Sequence, residues 1–426
     1  MACINRRRHR AVLGGLCLLM SGVAFSLSLD RAISLAQAND PWLHGSQLRE
    51  QALAAEAISA AALPDPTLSF GAANLPTDTF DFRQEGMTQA SVGISQRLPR
   101  GNSLKLMAEQ KRQLSQQQPM LRADRQAKIA ATVSQLWLEG YRAEQSIALI
   151  DADRPLFEQL LALSRGNYSA GLKQASQQDI IRAELALSRV EERILKLKQQ
   201  RDLARDQLGE WLNNETISEF GPSTNYGSDL NAKTISKRGA TAALQAHPAI
   251  RAIEQYIATA QTTVAISQEQ YKAEWSVNAK YAHRADDPLG NDRADFFSLG
   301  VSVDLPLFTA KRQDQNLNAA QARAEASRTD KALLLRRMMA NLKAQASQLH
   351  AIDERLTLYK SRLVHESNKL IDASITAYQN DKGDFTEVIQ AHIDALNLKI
   401  EVLDLHVDRQ KIVATIDYLL AGERYE

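Results

Sequence analysis

With 426 residues and 51 Lys and Arg against 50 Asp and Glu, the chain carries too little net charge to call for nucleic acid or an anionic surface. Aromatics are only 6%, with 11 Pro and 19 Gly, while Ala, Leu, Gln and charged helix formers abound. That is the composition of long helices and few loops.

In chain order, the first element is a targeting segment. Arg6, Arg7, Arg8 and Arg10 form a basic stretch, an apolar run follows from Ala11 to about Phe25, and Ala24-Phe25-Ser26 offers a small-x-small cleavage pattern. Residues 1–26 are therefore expected to be a signal peptide, the alternative being an uncleaved anchor. The run is short and contains Gly14, Gly15, Ser21 and Gly22, which favours cleavage. Cys3 and Cys17 are the two cysteines, and both lie in this segment. Gly14 and Leu16 do not make a lipobox before Cys17, so lipidation is not expected. The exported part would hold 47 basic and 50 acidic residues and no thiol. It has no second apolar run of the roughly 20 residues a transmembrane helix needs.

The remainder is a duplication. Asn39-Asp40-Pro41 is followed 207 residues later by Ala246-His247-Pro248. Val92 to Pro99 has its counterpart in Leu299 to Pro306, again offset by 207, and Tyr168 and Tyr378 are 210 apart. Each copy is a helix, a strand pair, a very long helix, a turn and a returning helix. The first copy is expected over 27–213, with a lead-in helix at about 29–62, strands at about 66–75 and 87–97, and a helical hairpin over about 102–213. A linker over 214–237 joins it to a second copy over 238–422. There the lead-in helix covers about 238–272, the strands about 274–283 and 295–305, and the hairpin about 309–421.

Leu335, Met339, Leu342, Ala346, Leu349, Ile352, Leu356, Tyr359 and Leu363 step by three or four residues, as do Ile389, Ile393, Leu396, Ile400, Leu403 and Val407. This is the seam of helices packed knobs-into-holes. Pro119 and Pro155 are expected to kink or break the long helix of the first copy. The strands alternate with period two: Phe297, Leu299, Val301, Val303 and Leu305 fall opposite Ser298, Gly300, Ser302 and Asp304. Trp275, Val277, Ala279 and Tyr281 alternate with Ser276, Asn278 and Lys280, and the first copy behaves alike. Trp275, Tyr281, Phe296 and Phe297 are candidate interfacial aromatics. Strands apolar on one side and polar on the other suit a membrane barrel, yet known barrels begin at eight strands. An open edge is too costly in lipid. Four strands per chain therefore imply an oligomer.

This order, repeated twice, resembles the outer-membrane efflux protein family typified by TolC. The pieces that carry the likeness are Leu27 to Ala32 with Asn39-Asp40-Pro41, the Leu-Pro pairs, and the turns Tyr168-Ser169-Ala170-Gly171 and Tyr378 to Phe385. The Ser176-Gln177-Gln178-Asp179 segment and compact linker look most like the CzcC-type branch, which serves heavy-metal pumps. The resemblance implies a mainly α fold with a small β-barrel portion. In it, a homotrimer forms a twelve-strand outer-membrane barrel on a periplasmic α-helical barrel. It implies docking on an inner-membrane RND pump through a periplasmic adaptor (a membrane fusion protein), and contact with outer-membrane lipids. Such a chain is a passive duct and not an enzyme, with no cofactor. The alternatives are a TolC-like drug-efflux or type I secretion duct and, from another class, a periplasmic coiled-coil or adaptor protein.

Lys173-Gln174 departs from the family as a small insertion. Asp372, Asp381 and Asp384, near the second turn, are the candidate periplasmic gate, because each would become a ring of three carboxylates in a trimer. Ordinary solvated turn acids are the competing explanation. Ala170, Gly171, Leu172, Lys382 and Gly383 are candidate adaptor contacts, although glycine at a helix end also serves as a plain cap. The histidines of the exported part are His44, His247, His283, His350, His365, His392 and His406. They show no helical ligand spacing, so no metal site is expected. Met338-Met339 is expected in the core.

Overall fold

The computed structural model describes residues 27–170, 176–213, 217–222, 237–380 and 382–424. The signal-peptide expectation, both cysteines, Gly171, Leu172, Lys173, Gln174, Asp381 and most of the linker lie outside the described residues.

Each copy opens with two helices where the sequence suggested one. Helices α1 (Leu29–Asn39) and α2 (Pro41–Ala61) break at Asp40-Pro41, and α5 (Lys237–Ala246) and α6 (Pro248–Glu269) break at His247-Pro248. The cause is the same at both places. Proline lacks an N–H and disfavours helical backbone in the residue before it, but suits the first position of a new helix. The residue before each proline then becomes a cap. The Asp40 carboxylate accepts the N–H of Trp42 at 3.2 Å, and His247 Nδ1 accepts that of Ala249 at 3.1 Å.

After each lead-in come two strands, β1 (Thr67–Ala73) and β2 (Gln89–Leu98) in the first copy, β3 (Glu274–His283) and β4 (Phe296–Asp304) in the second. They form one antiparallel four-stranded sheet in the order β1-β2-β3-β4. The first hairpin helices are α3 (Ser103–Ser169) and α4 (Gln177–Leu212). In the second copy α7 (Gln313–Leu358) passes through one π-helical turn (Tyr359–Leu363) into α8 (Val364–Gln379), and α9 (Phe385–Leu419) returns. The 67-residue α3 extends about 100 Å at 1.5 Å per residue.

Of the expected kink or break at Pro119 and Pro155, the break does not occur: α3 runs through both. Both prolines are exposed, so water can take up the carbonyls that their missing N–H groups leave free. The second copy carries its irregularity at nearly the same height, since the π turn sits 46 residues into the helix and Pro155 lies 52 residues after Ser103.

Among the described residues, three buried clusters hold the elements together. Near the lead-in of the first copy, Leu29, Ala32, Ile129, Val133 and Trp137 pack with Leu208, Leu212 and Phe220. Trp137 meets Phe220 edge-on at 5.2 Å, and its indole N–H donates to the Gly221 carbonyl at 3.0 Å. In the second copy Leu244, Ile250, Met338, Leu342, Leu349, Val413 and Ile416 form the counterpart, with Met339 packed against it. The methionine pair is thus core, as its place in the heptad seam suggested. The third cluster fills the hairpins: Ile150, Phe157, Ala183 and Val190 join Phe385, Ile389, Leu396 and Ile400 across the two copies.

Two adjacent residues of α3 stitch both helix breaks together. Arg125 pairs with the buried Asp40 at 2.8 Å and lies over the Trp211 ring. Asp124 accepts the Tyr418 hydroxyl at 3.1 Å and the Lys128 ammonium at 2.7 Å. Tyr418 in turn offers its carbonyl to His247 Nε2 at 2.9 Å and its ring edge-on to the imidazole. Burial holds the His247 pKa below the ordinary imidazole value, with Lys128 adding to it and the Tyr418 carbonyl and Asp124 opposing it. Burial likewise pushes the Tyr418 phenol up, aided by Asp124.

Candidate functional site

The register places side chains on the sheet in two unlike sets. On one face Leu68 and Phe70 stand opposite Ile94 and Val92, which meet Ala279 and Tyr281, which meet Leu299 and Phe297. Leu98, Trp275, Val277, Val301 and Val303 also lie on this face, and Gln96 and His283 are its polar members. On the other face Thr67, Ser69, Ser91, Ser95, Ser276, Asn278, Lys280, Ser298, Ser302 and Asp304 alternate with glycines. The apolar face is bare: Phe70 is 78% exposed, Leu299 70% and Val301 62%. In water such a face is a large apolar patch that a stable soluble monomer would not display. Beside hydrocarbon it is at equilibrium, and strands of nine or ten residues are the right length to span it.

Trp275, Tyr281 and Phe297 are on the apolar face, whereas Phe296 is on the polar one, where the Arg284 guanidinium covers its ring at 4.1 Å. The loop beyond β3 is organised by Asp295, which accepts from His283 at 3.0 Å, from the backbone of Arg284 at 2.9 Å, and from the Tyr281 hydroxyl. Both outer edges of the sheet, β1 and β4, are unpaired among the described residues. No described helix is long and apolar enough to cross a membrane.

At the far end the two hairpins meet. Asn167 donates to the Tyr378 hydroxyl at 2.9 Å, Arg182 to Thr386 Oγ1 at 2.5 Å, and Tyr378 packs on Phe385. Of the candidate gate residues, Asp372 is exposed on α8, along an open groove with Thr376, Ala377, Asn380 and Lys382. Asp384 caps α9: its carboxylate accepts the Thr386 N–H at 3.2 Å. The structure thus gives Asp384 a local task that the sequence did not suggest.

Among the candidate adaptor contacts, Ala170 caps α3 and is exposed, and Lys382 is exposed at the tip. Gly383 is required by space and not by left-handed backbone, since a Cβ there would lie 2.9 Å from that of Ala377 and 3.1 Å from the Tyr378 nitrogen. Ala170 ends the first hairpin's outgoing helix, and Lys382 and Gly383 belong to the turn of the second.

Sequence reasoning missed the ionic seam between copies. Arg142 on α3 reaches Asp408 and, at 3.6 Å, Asp404 on α9; Lys411 pairs with Glu139, and Lys399 with Asp153 at 2.8 Å. Burial raises the Asp404 pKa against the pull of Arg142. These residues are 246 to 272 apart in the chain, so no local pattern could announce them. No group of three or more His, Cys, Asp or Glu able to hold a metal occurs among the described residues.

No protein-family model matches the sequence, and no curated protein does. Solved structures do. A crystal structure of CusC, described as concerning folding and transmembrane channel formation, superposes with a TM-score of 0.74 over 92% of both chains at 16% identity. The outer-membrane channel OprN gives 0.76 over 92% of this chain and 90% of its own at 17% identity. The outer-membrane protein VceC of Vibrio cholerae gives 0.75 over 92% and 96% at 14%. The fold, mostly helical with a small antiparallel sheet, is that of these outer-membrane channels.

Proposed function

We propose that the chain is the outer-membrane channel component of a tripartite efflux system, a passive exit duct that performs no bond chemistry. The observation that carries this is the sheet: apolar on one face, polar on the other, and open at both edges beside helices about 100 Å long. Closing the edges in lipid requires other copies, and three chains would give twelve strands around a polar lumen. The helical hairpins then extend into the periplasm, with their tips at Ala170, Lys382 and Gly383 available to a periplasmic adaptor and an inner-membrane RND pump. A homotrimer inserted among outer-membrane lipids is the proposed working form. The likeness to channels in solved structures agrees with this assignment.

Within the class, the Ser176 to Asp179 segment favours the heavy-metal branch, with the cargo chosen by the pump. Asp372 is the better gate candidate, because Asp384, although equally exposed, is engaged as a cap. The test is single-channel recording in planar bilayers. Asp372→Asn should lower cation preference. Asp384→Asn, which retains capping ability, separates charge from helix stability. Unchanged conductance and selectivity in both variants would remove them as gate residues, and absence of any conductance would contradict the duct.

A further inference from the structure

Beyond the apolar sheet face, a group of bare hydrophobic side chains lies where the sheet meets the helices. Phe308 is 93% exposed and Leu307 74%, on the turn between β4 and α7; Ile58 is 78% and Leu63 54% exposed, on the last turns of α2 and the link to β1. These two places lie at the opposite open edges of the sheet.

The equivalent junction inside the chain is closed by charge. There the turn from β2 to α3 meets the turn from α6 to β3. Arg100 donates to the carbonyls of Lys272 at 2.6 Å and Gln270 at 3.5 Å, and pairs with Asp304 and, at 3.6 Å, Glu274. Glu269 accepts the Asn102 N–H at 2.7 Å. Gly101 sits at φ +45, where a Cβ would fall 1.9 Å from the Glu269 carboxylate, so only glycine fits.

The duplication tells what meets the open junction. Thr67 opposite Ser95 in the first copy corresponds to Ser276 opposite Ser302 in the second. Carried along the chain, this correspondence maps Arg100 onto Leu307, and Gln270 and Lys272 onto Ala61 and Leu63. Arg100 thus gives way to an apolar residue, and Gln270 and Lys272, which lend the clamp only their backbone carbonyls, give way to Ala61 and Leu63, while Glu274 maps onto the acidic Asp65. The β4–α7 turn (305–312) is also four residues longer than its counterpart (99–102), which gives it reach. Applied to the β2–β3 pairing, where Ser95 faces Asn278, the same operation sets Ser302 opposite Ser69, Val301 opposite Phe70 and Val303 opposite Leu68 of the next copy. Apolar then meets apolar along the whole new pair.

We propose that a second copy of this chain docks at this edge, with Leu307 and Phe308 of one copy packed on Ala61, Leu63 and the groove by Ile58 of the next. This apolar latch stands where the Arg100 clamp stands within the chain. It rests on the proposal that strands join between copies, and it is tested with the full chain, which has no cysteine after Cys17. Two double variants are oxidised in cells and run without reductant: Leu63→Cys with Phe308→Cys for the latch, and Ser69→Cys with Ser302→Cys for the strand pair. Covalent dimers and trimers from both are expected. Cross-linking of Ser69→Cys with Ser302→Cys alone would overturn the latch and turn Phe308 toward lipid, leaving the duct intact. Cross-linking of neither would overturn the joined barrel itself. Phe308→Asp gives a second readout: it should weaken assembly in detergent roughly tenfold or more, with Phe308→Leu retaining it. An unchanged oligomer in Phe308→Asp would contradict the latch.

Discussion

At the scale of single residues, the helix breaks show how one local rule is used twice with different chemistry. Asp40 caps with a charge and His247 with a neutral ring, and the latter makes the second break pH-sensitive. Because Nδ1 accepts from Ala249, the ring proton must sit on Nε2, facing the Tyr418 carbonyl. A second proton on Nδ1 would destroy the cap. The folded pKa is lowered, so this contribution is complete above the ordinary imidazole value near 6.5 and is lost as pH falls through the lowered folded value. Melting curves should therefore show His247→Ala less stable than the natural chain by about 1–2 kcal/mol at pH 8. The two should converge toward pH 5, and a pH-independent difference would refute the assignment. Gly140 offers a second test. A Cβ there would fall 2.3 to 2.7 Å from three atoms of the Phe220 ring. Gly140→Ala should cost about 1–3 kcal/mol by overpacking, read from denaturant midpoints, and no change would mean that the ring moves freely.

At the scale of elements, the sheet faces predict opposite outcomes for one substitution. Leu299→Lys, on the apolar face, should cost about 2–4 kcal/mol of folded stability in lipid. Ser298→Lys, one residue away on the polar face, should be tolerated. Urea unfolding in vesicles measures both, and equal effects would refute the two-faced sheet. The faces were legible in the sequence because strand alternation is a local, period-two property, readable from Leu299 and Ser298 alone. The heptads of α7 and α9 were legible for the same reason, and Leu342, Leu349, Leu356 and Ile400 are indeed buried. The continuity of α3 through Pro155 was not, because it depends on that face being exposed. The Arg142 seam and the Arg100 clamp join residues far apart in the chain, and Asp384 as a cap emerges only from the turn geometry. Of the candidate gate, the sequence could place Asp372 on the hairpin but could not tell a free carboxylate from an engaged one.

At the scale of the whole molecule, the isolated chain exposes too much. Bare surface lies on the apolar sheet face, at the two open edges, and in the grooves beside α2 and α7. All three are covered if copies join edge to edge in a membrane, with the latch at Phe308 sealing the foot of the sheet. The most direct measurement is the mass of the particle extracted in mild detergent from separated cell-envelope fractions. Three copies per particle, recovered from the outer membrane, is the predicted result. Recovery as a soluble periplasmic monomer would contradict it.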